Sequence, residues 1–194
     1  MQFLSTYQLM PPSIVVGIAN VDRYRDFSHE TKGERYLQRV PNAGGSGKFM
    51  QFLRQEAQPF VDAHFRTSGR RLLIGQSMGG LVASEIFFHQ PDLFDHYFIV
   101  SPSLWWDDSS LIEGAAEAMK AKTERKGVLV LSLGTEGEEM QAGVDRFLAV
   151  LEAHAPATLE WHYLSLPDES HATILHRAIY QSIEILYGKT HPGM

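Results

Sequence analysis

The chain has 194 residues, of which 44% are hydrophobic and 21% charged, as in an ordinary globular protein, and we expect one domain over residues 1–194. Its formal net charge of -6 argues against a nucleic-acid partner, because phosphate binding needs a basic face. The absence of cysteine excludes disulfides, thiolate metal sites and a cysteine nucleophile, and no apolar run approaches the roughly 18 residues that span a membrane.

Five short apolar runs predict strands. The first four are continuous, as expected for strands that helices cover on both faces. The last run alternates with Glu160 and His162, which places it nearer the edge of the sheet. In chain order, the predicted strands are residues 14–18, 72–74, 97–100, 128–131 and 161–166.

Helical spacing of apolar residues separates the later strands. The first such stretch must kink or restart at Pro59, because proline cannot continue a helical hydrogen-bond ladder. The predicted helices are residues 49–65, 81–89, 111–120, 144–151 and 174–186. Strands that alternate with helices predict an α/β fold with a mainly parallel sheet flanked by helices. Because such sheets bind ligands at the carboxyl ends of their strands, functional residues are expected directly after the apolar runs.

The sequence Gly75-Gln76-Ser77-Met78-Gly79 has the G-x-S-x-G pattern of a nucleophile elbow. It joins a predicted strand to a predicted helix, as that motif requires. In an elbow, the serine is strained and exposed at a helix N-terminus that favours a developing oxyanion. We therefore predict that Ser77 is a nucleophile and that the backbone N–H of Met78 is an oxyanion donor. An ordinary glycine-rich turn with a capping serine is the alternative interpretation.

A serine nucleophile needs a general base, and with this motif the histidine follows the last strand of the sheet. Of the nine histidines, His171 lies in that place, between the last predicted strand and the last predicted helix. We therefore predict that His171 is the base. A surface histidine that caps the helix is the alternative.

The third catalytic residue, an acid that orients the imidazole, is expected in the loop after the strand at 128–131. Glu138 is our prediction, because it lies a few residues beyond the strand and before the next helix. Acidic residues are also common at helix N-termini for capping and dipole reasons. A Ser–His dyad without an acid is a further alternative. The competing acids are Glu136, Glu139, Asp107 and Asp108.

Four segments resemble the esterase D-like group of α/β-hydrolases, in the branch that includes the enterochelin (enterobactin) esterases. They are GQSMGGL (75–81), SPSLWW (101–106), DESH (168–171) and GIAN (17–20), the last followed by Arg23, Arg25 and Asp26. The resemblance implies an α/β-hydrolase sheet, hydrolysis of a small-molecule carboxylic ester by Ser77 and His171, and no metal or organic cofactor. Trp105 and Trp106 match positions that either wall the substrate pocket or pack in the core.

Members of that family carry several strands before the counterpart of Met1, and one of them supplies the second oxyanion donor. We therefore expect an N-terminally shortened fold with an impaired active site. The shortening would leave an exposed sheet edge, which a second copy could cover in a homodimer.

A serine esterase is thus the leading interpretation. An acyltransferase on the same scaffold, or a non-catalytic remnant that binds or oligomerises, are the alternatives. Arg23 and Arg25 are candidates for binding an acidic substrate such as a siderophore. Residues 1–10 show no signal peptide, which favours the cytoplasm, whereas a true start further upstream would allow a periplasmic or secreted protein.

Overall fold

Four parallel strands form one sheet in a computed structural model that describes residues 5–6, 9–121 and 125–188. Each strand pairs with the next one along the chain, so that all four carboxyl ends lie at one edge. The strands are β1 (Leu72–Gln76), β2 (His96–Val100), β3 (Gly127–Gly134) and β4 (Leu159–Leu166). The four later predicted strands are therefore confirmed, and β4 lies at an edge of the sheet, as its alternation predicts.

Helices precede and connect these strands. They are α1 (Arg23–Phe27), α2 (Glu34–Arg39), α3 (Ser46–Phe52), α4 (Gln58–His64), α5 (Met78–His89), α6 (Ser110–Glu113), α7 (Ala115–Ala121), α8 (Glu138–His154) and α9 (Ile174–Tyr187). A π-helical turn (Leu53–Ala57) joins α3 to α4, and a 3-10 turn (Trp106–Ser109) precedes α6. The predicted restart at Pro59 is confirmed, since α4 begins one residue before it and proline is tolerated in the first turn of a helix. The helix predicted over residues 111–120 is instead two helices that meet at Gly114.

Both faces of the sheet are covered by helices. Ile99 and Leu131 point into the larger core cluster, which includes α5 and α8, whereas Phe98 and Val130 point into a cluster that includes α9. Because successive strand residues face opposite sides, burial on both sides requires continuous apolar runs. The predicted α/β fold is confirmed.

The first predicted strand, over residues 14–18, is wrong. This segment has no regular secondary structure, and Ile14, Val15 and Val16 are 46%, 67% and 52% exposed. An apolar run becomes a strand only where a neighbour completes its backbone hydrogen bonds. Within the described ranges, β1 pairs with β2 alone, and no strand pairs with residues 14–18.

One helix carries a buried carboxyl group. Glu85, on α5, is 8% exposed, and its Oε2 atom has no hydrogen-bond partner. Loss of hydration raises the pKa of Glu85 to about 7, and a hydrogen bond from the Ser46 side chain only partly opposes this. The folded protein therefore binds this proton more tightly than the unfolded chain does.

Stability should consequently fall as the pH rises, because a carboxyl with a raised folded-state pKa stabilises the fold only while it is protonated. From the usual value of 4.5 to about 7, the free energy of unfolding should decrease by on the order of 3 kcal/mol relative to Glu85→Gln. Urea denaturation of both proteins across this pH range measures the difference. Glu152→Gln, at an exposed position on α8, is the control that should track the wild type. A difference that stays constant with pH would contradict the expected titration.

Candidate active site

Ser77 lies between the end of β1 and the start of α5, as the elbow motif predicts. Its backbone is in a sparsely populated conformation, with φ 59° and ψ -121°. Three backbone hydrogen bonds hold it there. The Ser77 N–H donates to the Val100 carbonyl at 3.1 Å, and the Ser77 carbonyl accepts from the N–H groups of Leu81 at 2.9 Å and Ser103 at 3.1 Å. These bonds thereby fix the backbone from which the hydroxyl projects.

The glycines around Ser77 differ in how much space they have. A Cβ atom on Gly75 would lie 2.2 Å from the Gly79 carbonyl oxygen, and one on Gly80 would lie 2.8 Å from the Pro102 Cα atom. A Cβ atom on Gly79 would have its nearest neighbour at 4.0 Å. The turn therefore requires glycine at 75 and 80. Residue 79 contributes only its backbone carbonyl to the close contact with Gly75, and it has room for a side-chain methyl group.

His171 lies in the loop between β4 and α9, and its Nδ1 atom is 2.6 Å from Oε2 of Glu136. The Glu136 side chain is 2% exposed, and that of His171 is 47% exposed. A carboxylate at Nδ1 fixes the ring orientation and leaves Nε2 free to accept a proton. This is the geometry of a general base and its orienting acid.

Glu136, and not the predicted Glu138, therefore holds the histidine. The chain turns at Gly137, where φ is 90°, and α8 begins at Glu138. Glu138 and Glu139 consequently occupy the exposed first turn of that helix, where negative charge suits the helix dipole. The residue just before the glycine instead points back towards the sheet.

The two aspartates that compete for the same role bind elsewhere. Asp107 accepts hydrogen bonds from the hydroxyls of Thr31 and Ser110, and Asp108 pairs with Arg35. Neither carboxylate is hydrogen-bonded to His171. The structure thus leaves Glu136 as the acid in contact with the imidazole.

Two donors hold the other oxygen of Glu136. The Ser101 hydroxyl donates to Oε1 at 2.5 Å, and the Gly134 N–H donates to it at 3.3 Å. Ser101 follows β2 and is fully buried. Ser101 is the first residue of the SPSLWW segment, but no local pattern marks its hydroxyl as a partner of the acid.

The end of β1 and the loops after β3 and β4 are joined to one another at the site. The Gln76 amide donates to the main-chain oxygen of His171 at 2.7 Å, and the Thr135 N–H donates to that of Glu169 at 2.8 Å. Ser77 and His171 line one cavity without a direct hydrogen bond between their side chains, and the Ser77 Oγ atom lies 3.4 Å from that of Ser103. Catalytic hydrogen bonds commonly tighten only when substrate binds.

Two adjoining cavities share Ser77, Ser103 and Trp105. The one that contains His171 and Glu136 has a volume of about 460 Å³. The other, of about 380 Å³, carries cationic and aromatic side chains: Arg23, Tyr24, Tyr36, Arg39, Trp105 and Trp106. Ser77 thus lies where the two compartments meet.

The two tryptophans differ in their surroundings. Trp105 lines both cavities, whereas Trp106 is 3% exposed, donates to the His29 carbonyl at 3.2 Å and packs 5.0 Å from the Tyr36 ring. Trp105 is therefore a wall between the compartments, and Trp106 combines a lining position with core packing.

The two arginines predicted to bind substrate differ in position. Arg23 lines the second cavity, but Arg25 is paired with Asp26 at 2.7 Å and does not line either cavity. Arg39, on α2, is a lining cation that the sequence patterns did not reveal. Two arginines thus accompany the aromatic side chains of this compartment.

No set of three histidine, aspartate or glutamate side chains converges as metal ligands among residues 5–6, 9–121 and 125–188. In the same ranges, none of the helices combines the length and apolar character that crossing a bilayer requires.

The parallel sheet, its flanking helices and the turn after β1 define an α/β-hydrolase fold, and solved structures agree. An IroE-like serine hydrolase from Shewanella oneidensis superposes with a TM-score of 0.84 at 29% identity, over 96% of this chain and 64% of that one. The chain belongs to the esterase family described as "Putative esterase", whose model matches residues 1–163. The predicted family is therefore confirmed.

Two curated relatives have named activities. The siderophore triacetylfusarinine C esterase of Aspergillus fumigatus is 30% identical over 60% of this chain and 42% of its own length. The siderophore enterobactin esterase of Emericella nidulans is 40% identical over 37% of this chain and 25% of its own. The chain thus matches less than half the length of these relatives.

Proposed function

We propose that this protein is a serine esterase that hydrolyses a carboxylic ester through an acyl-enzyme on Ser77. The observation that carries the proposal is the 2.6 Å hydrogen bond between His171 and the buried Glu136, beside the cavity that Ser77 also lines. A nucleophile on an elbow, a base and an orienting acid follow three different strands of one parallel sheet. Membership of an esterase family supports the same conclusion.

In this mechanism, His171 Nε2 removes the proton from Ser77 as its Oγ atom attacks the ester carbonyl. Glu136 stabilises the imidazolium that forms. Met78 is the first residue of α5, so its N–H has no partner within the helix and can donate to the developing oxyanion. His171 then protonates the leaving alcohol, and a water molecule activated by the same histidine releases the acid and frees Ser77.

The second compartment indicates the kind of ester. Arg23 and Arg39 offer fixed positive charge, and the aromatic walls offer flat apolar surface. An ester with acidic or aromatic groups fits this lining. Because two curated relatives are named as siderophore esterases, siderophore esters are the substrates to test first.

Hydrolysis of p-nitrophenyl acetate and labelling by a fluorophosphonate probe test the proposal. The wild type should label at Ser77, and Ser77→Ala should lose the label and at least about 10⁴-fold in kcat. Ser182→Ala is the matched control, because it removes a buried hydroxyl on α9 that donates to the Ala178 carbonyl of the same helix. This variant should label and turn over like the wild type.

The same experiment separates the alternatives. Label and turnover that persist in Ser77→Ala would refute Ser77 as the nucleophile. An unlabelled wild type would favour a non-catalytic binding module instead. With an added alcohol acceptor, a product that is mainly the new ester would identify an acyltransferase, since the same acyl-enzyme serves both reactions.

A further inference from the structure

The carboxylate of Glu136 is buried, so its hydrogen bonds must come from protein groups and not from water. With its side chain 2% exposed, Glu136 exchanges almost all of its hydration for protein donors. A buried carboxylate without such donors is strongly destabilised. His171 serves one oxygen, so the position of the carboxylate depends on what holds the other.

Ser101 is the stronger of the two donors to that second oxygen. Its hydroxyl lies 2.5 Å from Glu136 Oε1, the distance of a short charge-assisted hydrogen bond, whereas the Gly134 N–H is 3.3 Å away. Together with the Gly134 N–H, this O–H donor restrains Oε1 and so limits how the carboxylate can rotate. Oε2 is then presented to Nδ1 of His171 at 2.6 Å.

The backbone of Ser101 is strained in a way that aims this hydroxyl. Its φ of 44° is in the left-handed region, which costs a non-glycine residue free energy, and the side chain is completely buried. The Ser101 N–H continues the sheet by donating to the Ser132 carbonyl at 2.8 Å. The chain thus leaves β2 through a conformation that favours glycine. The residue there is nevertheless a serine, and its hydroxyl donates to Glu136.

We propose that Ser101 is a positioning residue for ester hydrolysis, which holds Glu136 so that Glu136 can orient His171. The proposal rests on the proposed esterase function. Ser101 does not line either cavity of the site, and it acts only through the carboxylate.

A double-mutant cycle on p-nitrophenyl acetate tests the proposal with Ser101→Ala, Glu136→Ala and the double variant. Loss of one hydrogen bond to a charged group should lower kcat by about 10- to 100-fold with little change in KM. In the Glu136→Ala background, Ser101→Ala should cost nothing more, because a residue that acts through another has no effect once that other is gone. Additive losses, or a wild-type kcat in Ser101→Ala, would overturn the proposal.

Ser101→Gly separates the hydroxyl from the strain. Glycine adopts a positive φ without cost, so this variant should melt no lower than Ser101→Ala and should share its low kcat. A wild-type kcat in Ser101→Gly would overturn the proposal, since only the backbone would then matter. Ser182→Ala, which removes a buried hydroxyl away from the site, should keep full kcat.

Failure of the esterase proposal gives a different result. In that case, Ser77→Ala would retain the turnover of the wild type. If instead Ser77→Ala and Glu136→Ala are both inactive while Ser101→Ala is fully active, the triad stands and only the role of Ser101 is rejected.

Discussion

Replacing Glu136 by glutamine should lower kcat by about 10³- to 10⁴-fold, because the amide keeps the size of the side chain but loses the charge that stabilises the imidazolium. The amide would also bind the wrong tautomer of His171, since its NH₂ group prefers an acceptor nitrogen. KM should change little, because Glu136 lies behind the histidine and the loss arises in the transition state. Steady-state hydrolysis of p-nitrophenyl acetate measures both parameters.

Glu138→Gln is the matched control for this prediction. Glu138 lies two residues further along, is exposed, and begins α8 without contacting His171. Its replacement should leave kcat within about twofold, since an exposed charge at a helix end interacts weakly. The reverse pattern would restore the assignment made from the sequence. Wild-type kcat in both Glu136→Gln and Glu138→Gln would instead indicate a Ser–His dyad.

Local patterns were sufficient for most of the architecture. Strands covered on both faces must be largely apolar along their length, so the runs that became β1 to β3 were recognisable without any tertiary information. The edge strand β4 was recognisable from its alternation of apolar and polar residues. The elbow could also be predicted from the local sequence. Gly75 must lack a side chain because the turn brings it against the Gly79 carbonyl, and that requirement is visible in five consecutive residues.

Features that depend on distant parts of the chain were not predictable in this way. Glu136, Glu138 and Glu139 lie within four residues of sequence, but which of them contacts the histidine depends on where the chain brings His171, 35 residues after Glu136. The donor that holds Glu136 comes from Ser101, 35 residues away. Similarly, residues 14–18 have the composition of a strand, but composition cannot supply the neighbouring strand whose hydrogen bonds they would need.

Gly75→Ala should strongly destabilise the folded protein. Its new methyl group would lie 2.2 Å from the Gly79 carbonyl oxygen and 3.1 Å from Ala83 Cβ, and neither backbone nor a helix methyl can rotate away. Relief would require β1 and α5 to separate, which disturbs the packing of the sheet. We expect a loss of about 3 kcal/mol or more in the free energy of unfolding, at the upper end for overpacked sites. Thermal and urea denaturation measure it.

Gly79→Ala adds the same methyl group to the other glycine of the motif and is the natural comparison. The nearest atom to that methyl, on Phe27, is 4.0 Å away, which is ordinary contact. Because Gly79 lies in the first turn of α5 and alanine is the better helix former by about 1 kcal/mol, this variant should be as stable as the wild type or more so. Equal destabilisation by both substitutions would mean that the turn does not have the geometry described. A large loss at 75 alone would show that strand β1 and helix α5 pack too closely at the elbow for any side chain at that position.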